Sequence, residues 1–201
     1  ETFAGPHPAG NPSTHIHFLS PVDTRRTAWV IGYQDVIAVG HLFRTGRLYS
    51  ERVVALAGPQ VEQPRLVRTR VGACLDELAA GQMKGGENRI VSGSVFNGHH
   101  AEGPTGYLGR LANQVTVLRE GNDRPMFGYL SPGLERHSVL NIYLSKLMPW
   151  KKFGFTTTTN GSERAMVPLG QYDTVMPLDN LPTQLLRALE VGHTEKAQAR
   201  G

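Results

Sequence analysis

Residues 52–57 read RVVALA, a nearly continuous apolar run that ends at Gly58-Pro59. Such runs are typical of strands buried on both faces, as in a parallel sheet. Upstream, residues 35–44 carry apolar side chains at helical spacing, and residues 27–31 are β-branched and aromatic, as strands are. Strand, helix and buried strand make a βαβ unit, so the sequence predicts part of a doubly wound α/β layer over residues 27–57.

The pattern changes after Gly58-Pro59. Residues 66–71 alternate apolar and charged side chains, which predicts a half-exposed antiparallel strand. Residues 74–80 predict a short helix with Leu75, Leu78 and Ala79 on one face, and residues 89–95 and 114–118 predict two more strands. Together these elements indicate a small α+β roll.

The remaining segments are shorter and less regular. His15–Leu19 predicts a strand near the start of the chain, and a short strand is expected from Phe127. Ser138–Met148 predicts a helix that Pro149 stops. A last amphipathic helix follows Leu181, with Pro182 in its first turn and Gly192 at its end. The polar tail from residue 193 to residue 201 is predicted to fray.

Composition excludes several classes of protein. The chain has 201 residues, one cysteine and a formal net charge of +4. Cys74 is alone, so a disulfide scaffold is excluded and a reducing compartment is favoured. The apolar stretches are too short for a membrane span, and the first residues lack the pattern of a signal peptide. The basic residues are scattered, with the densest groups at Arg65, Arg68 and Arg70 and at Lys151-Lys152, so nucleic acid is not the predicted partner.

Two histidines form the most suggestive local motif. His15 and His17 are two residues apart, and in a strand this spacing puts both imidazoles on one face, within reach of one metal ion. With His7 nearby, the motif suggests a metal-dependent hydrolase. The alternative is that these histidines are hydrogen-bonded within a rigid, proline-rich loop. The latter interpretation is favoured, because no later histidine or aspartate pattern supplies the remaining ligands.

Other catalytic patterns are incomplete. The glycines of Gly103–Gly109 do not make a dinucleotide fingerprint, and no phosphate-binding loop with its lysine occurs. Cys74 lies on the apolar side of a predicted helix, which favours a core role. Thr156–Thr159, followed by Asn160-Gly161, favours an extended segment that enters a tight turn; a hydroxyl-lined ligand or ion site is the alternative. The sequence therefore predicts no catalytic residue and no metal-ligating residue.

A set of sequence blocks, in a fixed order, resembles one known family. The blocks are Gly5–Gly10, Thr14–Phe18, Tyr33–Gly40, Arg52–Pro59, Pro64–Thr69, Ile90–Val95, Tyr107–Arg110, Thr156–Ser162, Met166–Gly170 and Val175–Asp179. From about Gly5 to Leu189, the chain resembles the A subunit of the sodium-translocating NADH:quinone oxidoreductase. The polar tail after Gly192 departs from the family, which continues there into a cysteine-containing segment.

This resemblance implies a fold. Family members are longer at both ends, so the chain is expected to be a middle-to-late fragment. Residues 1–58 should be the second part of a Rossmann-like α/β domain, residues 59–122 a β-grasp domain of the soluble-ligand-binding type, and residues 123–201 an α+β segment that leads into a C-terminal helical region. The fold class expected is thus α/β plus α+β.

The resemblance also implies a function. The family belongs to a complex of the bacterial inner membrane that passes electrons from NADH to ubiquinone and exports sodium. Within that complex the family member is peripheral and lies on the cytoplasmic side. NAD(H), flavins, an iron centre and ubiquinone belong to the whole complex, and the fragment is expected to bind no cofactor. The covalent flavins are attached to other subunits, so Thr156–Thr159 are not expected to be attachment sites.

Three hypotheses remain open at this point. In the first, the fragment is a supporting and interaction piece of the oxidoreductase, with other subunits as partners and no activity alone. In the second, it is a metal-dependent hydrolase that uses His7, His15 and His17. In the third, the segment 64–118 holds a quinone headgroup or another small molecule in an apolar cleft.

Overall fold

The chain contains two compact units. The computed structural model describes residues 1–23, 25–123, 126–138, 140–162, 165–167 and 169–199. One unit comprises residues 1–36 and 163–201, and the other comprises residues 37–162. The α-helices in chain order are α1 (Pro12–Leu19), α2 (Tyr33–Thr45), α3 (Leu75–Ala79), α4 (Pro182–Glu190) and α5 (Thr194–Gln198).

A mixed five-stranded sheet organises the larger unit. The strands are β1 (Glu51–Ala57), β2 (Arg65–Arg70), β3 (Asn88–Ser92), β4 (His99–His100) and β5 (Gln114–Arg119), in the order β2-β1-β5-β3-β4. The central pair β1–β5 is parallel, whereas β1–β2, β3–β5 and β3–β4 are antiparallel. The two central strands therefore need a long crossover, and β2, α3, β3 and β4 lie within it.

The core of this unit lies on one face of the sheet. Val54 and Leu56 of β1 and Val115 and Val117 of β5 are almost fully buried, and α3 contributes Leu75. The strand and the helix predicted at 52–57 and 74–80 are thereby confirmed. Gly58 follows β1 where a Cβ atom would stand 2.3 Å from the carbonyl oxygen of Val117, so only glycine allows this approach.

β1 is buried on one face only, contrary to the prediction of burial on both. Residues 52, 54 and 56 are buried, while Val53 on the opposite face remains 40% exposed. A parallel neighbour does not by itself bury a strand, because burial on both faces requires a packed layer on each side. The half-exposed antiparallel strand predicted for residues 66–71 is confirmed as β2. It pairs antiparallel with β1, and its exposed and half-buried residues alternate from Leu66 to Arg70.

The two N-terminal strands predicted are absent. Residues 15–19 belong to α1, which starts at Pro12, and residues 27–31 form no regular element. Proline in the first helical turn leaves no missing hydrogen bond and presets φ, and this start signal outweighed the β-branched character of the run. The βαβ unit predicted for residues 27–57 is therefore wrong, although α2 itself is confirmed, with Gly46 (φ +69°) immediately after it.

The segment after β5 is folded without long elements. The predicted strand at residue 127 and the helix at 138–148 are wrong for the described residues, because only 3₁₀ turns form at Gly128–Leu130 and Leu144–Leu147. Residue 139 lies outside the described residues.

The C-terminal helix is confirmed as α4. Pro182 lies in its first turn, and Gly192 follows it with φ +71°. The tail is more ordered than predicted, since residues 194–198 form α5.

Candidate functional site

The histidines of the N-terminal motif do not converge. Because residues 15 and 17 lie on α1 rather than on a strand, their side chains project about 160° apart around the helix. Nε2 of His15 lies 3.0 Å from the carbonyl oxygen of Ala9 and donates to it in the matching tautomer, and its ring is 4.4 Å from that of Phe3. Among the described residues, no group of three or more histidine, cysteine, aspartate or glutamate side chains is placed to hold a metal ion. The arrangement does not support the hydrolase hypothesis.

Cys74 has a structural position. It is the residue before α3, is half-buried, and forms an isolated β-bridge with Tyr107. It therefore links the start of the helix to the segment that leads into β5.

Hydrogen bonds join the threonine-rich segment, residues 156–162, to the end of β5. The hydroxyl of Thr157 donates to Glu120 Oε2 at 2.6 Å and accepts the backbone N–H of Gly121 at 2.9 Å. The backbone N–H of Thr157 donates to the carbonyl of Arg119 at 3.1 Å. Thr159 donates to the carbonyl of Gly161 at 2.8 Å. Since these two hydroxyls have partners within the chain, the extended segment and turn predicted from the sequence describe this region better than a ligand site does.

An ion pair between Arg89 and Glu120 adds to these hydrogen bonds. Arg89 of β3 reaches Glu120 through Nε at 2.5 Å and through Nη2 at 3.0 Å, a two-point contact that fixes the plane of the carboxylate. The Glu120 side chain is only 14% exposed. The hydrogen bonds from Thr157 and Arg89 favour the charged form and hold the pKa of Glu120 below its ordinary value.

Two adjoining cavities lie in the segment that this network anchors. Their volumes are about 380 Å³ and about 250 Å³, and both are lined by His137, Tyr143, Phe153 and Phe155. Phe153 and Phe155 are two residues apart, and both line the two cavities. The His137 ring lies 5.5 Å from that of Phe153 and 5.7 Å from that of Phe155, in the latter case edge to face. The wall is therefore aromatic, with the Phe153 and Phe155 rings inclined to the His137 ring by 48° and 88°.

Close packing positions Tyr143, which also lines both cavities. Gly133 has φ +72°, and a Cβ atom there would stand 2.2 Å from Cδ1 of Tyr143, so the tyrosine ring lies directly on the glycine. The Ser145 hydroxyl donates to the carbonyl of Arg136 at 2.5 Å, and Nη1 of Arg136 donates to the carbonyl of Gly128 at 3.0 Å. Side chain to backbone bonds of this kind stabilise a wall that has no long helix or strand.

The cavities have a positive and polar rim. Lys151 donates to the carbonyl of Leu134 at 2.9 Å and pairs with Glu135. Lys146 lines the larger cavity, and its side chain forms no hydrogen bond or ion pair within the described part of the chain; Ser138 and Asn141 line the same cavity. An aromatic wall with an ammonium group and amide and hydroxyl donors suits a flat ring that carries oxygen acceptors.

Sequence reasoning did not find this site. The apolar spacing of residues 138–148 suggested a helix, and a helix would have filled the space. The available signals were Gly133, where a turn needs positive φ, and the two-residue spacing of Phe153 and Phe155. The ligand cleft predicted within residues 64–118 lies elsewhere in the chain and stays a prediction.

A large apolar surface lies on α2. The helix has no buried residue, and Ile37, Phe43 and Tyr33 are 57%, 86% and 71% exposed. None of the described helices is both long and apolar enough to cross a membrane.

The chain is similar to two family models. Residues 1–48 match a model described as the NqrA second alpha/beta domain, and residues 53–103 match one described as the NQRA C-terminal domain.

Curated relatives match the chain over its whole length. Proteins named as the A subunit of Na(+)-translocating NADH-quinone reductase are 63% identical in Alcanivorax borkumensis, 64% in Cellvibrio japonicus and 61% in Pseudomonas aeruginosa, each over all 201 residues. The chain spans 45% of the length of each of these relatives.

Proposed function

We propose that this chain, which belongs to the NqrA family of Na(+)-translocating NADH-quinone reductases, is a supporting segment of that complex whose reactive groups come from neighbouring subunits. High identity over the whole chain supports the assignment to the complex. NAD(H), flavins, an iron centre and ubiquinone are then properties of the assembled enzyme, and the other subunits are the partners. The chain contributes structure, contacts and one ligand cavity.

We further propose the finer fold assignment. The strand order β2-β1-β5-β3-β4, with a parallel central pair and α3 on one face, supports a β-grasp domain. The match of residues 1–48 to a second alpha/beta domain supports a Rossmann-like part there, to which α1 and α2 would contribute the helices, although the described residues of that segment form no strand. The proposed bounds are 1–58, 59–122 and 123–201, although the sheet continues across the first bound because β1 pairs with β2 and β5. Limited proteolysis of the chain can test them, because cleavage concentrates at exposed segments between domains.

The proposed location is peripheral, on the cytoplasmic side of the bacterial inner membrane. The membership of relatives in a sodium-translocating complex supports an association with the membrane. Selective labelling of exposed lysines in inside-out vesicles, compared with right-side-out vesicles, tests the side.

The cavity pair is proposed to hold the quinone headgroup. A quinone is a flat ring with two carbonyl oxygens, so it can stack against aromatic side chains and accept hydrogen bonds. The single observation that supports this is the contact of the His137 ring with both Phe153 and Phe155, in a cavity that Lys146 also lines. Ring contacts of this kind contribute about 0.5–1.5 kcal/mol each beyond their buried area.

The test uses the assembled complex with Phe155→Ala or Lys146→Ala. We expect the KM for a short-chain ubiquinone to rise about three- to tenfold, since one lost contact of about 1 kcal/mol weakens binding by this factor. NADH oxidation with an artificial electron acceptor should stay unchanged, because it does not need the quinone. The matched control is Phe96→Ala, a phenylalanine that is 86% exposed in the same unit and does not line the cavities.

An unchanged KM in both cavity variants, in a complex that assembles normally, would remove the quinone proposal. The supporting role would then stand alone, because the family assignment does not depend on the cavity.

A further inference from the structure

One edge of the sheet has backbone groups without a strand partner. β2 pairs with β1 along one side, and no described strand pairs with its other side. Leu66 is 73% exposed, and the Arg68 side chain is 75% exposed. The outer edge of β2 thus presents N–H and C=O groups to which an extended chain can add.

Three arginines lie on this edge strand, on both of its faces. Arg65 pairs in register with the buried Leu56 and so projects to the core side. Arg68 and Arg70 pair with Val53 and Glu51 and project to the opposite side. The strand therefore carries positive charge above and below the plane of the sheet.

Little negative charge compensates these arginines within the described residues. Glu51 lies 3.5 Å from Arg68, with both side chains well exposed. Arg65 binds the uncharged amide of Gln82 at 2.6 Å, and the side chain of Arg70 forms no ion pair or hydrogen bond with any described residue. An exposed pair such as Arg68 with Glu51 is weak because water screens it, so it can open at little cost.

Neither a second copy of β2 nor a membrane surface fits this distribution of positive charge well. A second copy of β2 would place arginine against arginine, and like charges opposite each other destabilise strand pairing. A membrane surface is flat and meets one side of a sheet, whereas Arg65 and Arg70 point to opposite sides. An extended acidic segment meets both requirements, since its carboxylates alternate between the two faces at the same period of two.

We propose that the outer edge of β2 binds an extended acidic segment of a partner protein as an additional strand. Backbone hydrogen bonds give the register, and the carboxylates pair with Arg65 on one face and with Arg68 and Arg70 on the other. Leu66, with the half-exposed Val53 beside it, offers apolar contact to a side chain between the acids. This inference is independent of the quinone proposal.

The probe is a synthetic eight-residue peptide, TEEVTEEV, which has two glutamates on each face when extended. The matched peptide TQQVTQQV keeps the shape and removes the charge. Binding to the full chain is followed by amide hydrogen exchange. We expect slower exchange at the outward-facing amides of residues 65–70 with the acidic peptide, at least tenfold weaker binding of the glutamine peptide, and weaker binding at high salt.

Charge-reversal variants distinguish binding at this edge from binding through the overall positive charge of the chain. Arg70→Glu should weaken binding of the acidic peptide at least tenfold. Arg44→Glu, an equal charge change on the exposed side of α2, should leave this binding unchanged. Exchange in β5 reports that each variant is folded. The proposal is overturned if both peptides bind equally well, or if the amides protected from exchange lie outside β2. It is also overturned if both variants lose affinity for the acidic peptide equally. Binding of phosphatidylglycerol vesicles that needs Arg70 without any peptide binding overturns it in favour of a lipid surface.

Discussion

The hydroxyl of Thr157 donates a 2.6 Å hydrogen bond to the carboxylate of Glu120, which lies 37 positions earlier in the chain. Glu120 directly follows β5, and Thr157 comes two residues after Phe155 of the cavity wall. The same carboxylate accepts two bonds from Arg89 of β3. A single, largely buried anion thus fastens the irregular segment with the cavities to two strands of the sheet.

Removal of this hydroxyl should destabilise the larger unit. Thr157→Val keeps the shape of the side chain but removes the donor to Glu120 and the acceptor for the Gly121 N–H. We expect a loss of about 1–3 kcal/mol in the free energy of unfolding, because hydrogen bonds to a charged group have this magnitude. Urea unfolding measures it. Thr159→Val removes an exposed hydroxyl that donates to the carbonyl of Gly161, and it should change stability by much less. An equal loss in both variants would contradict the role of Glu120.

Acid should weaken the same network. The folded state holds the pKa of Glu120 below its ordinary value of 4.5, so the unfolded chain takes up this proton first as the pH falls. The stabilisation is fully present above pH 4.5 and is lost as the pH falls through the folded-state pKa. The difference in unfolding free energy between the wild type and Glu120→Gln should therefore shrink on acidification. A difference that stays constant from neutral pH to strongly acidic pH would contradict the shift.

The cavity wall depends on a glycine. Gly133→Ala places a methyl group onto the Tyr143 ring and also imposes φ +72° on alanine. Gly72→Ala imposes nearly the same φ, +74°, in open space. In both variants the strained backbone should lower the free energy of unfolding by about 1 kcal/mol. Only in Gly133→Ala should overpacking against Tyr143 lower it by about 1–3 kcal/mol more. Thermal unfolding of both variants measures the difference, and equal losses would show that Tyr143 moves away freely.

The sheet core should respond to truncation at α3. Leu75 is fully buried against the strands, whereas Leu111 in the same unit is 81% exposed. Leu75→Ala should lower the free energy of unfolding by about 2–5 kcal/mol, from lost burial and the cavity left behind. Leu111→Ala should stay within about 0.5 kcal/mol of the wild type. Urea unfolding compares them, and similar values would contradict the packing of α3 on the sheet.

Local signals decided which elements could be predicted from the sequence. The alternation of residues 66–71 identified β2, and Pro182 and Gly192 marked both ends of α4, because strand period and helix termini are local properties. Residues 15–19 have the side chains of a strand, but Pro12 starts a helix that includes them. The cavity could not be predicted, because the contact of Tyr143 with Gly133 and the contacts of His137 with two phenylalanines join separate parts of an irregular segment.

The central claim is that this chain supports electron transfer but does not carry it out. The most direct measurement is the rate of NADH oxidation by the purified 201-residue chain with added ubiquinone, beside the intact complex at equal molar concentration. The account predicts no turnover above the protein-free background. A rate comparable to that of the complex would contradict it.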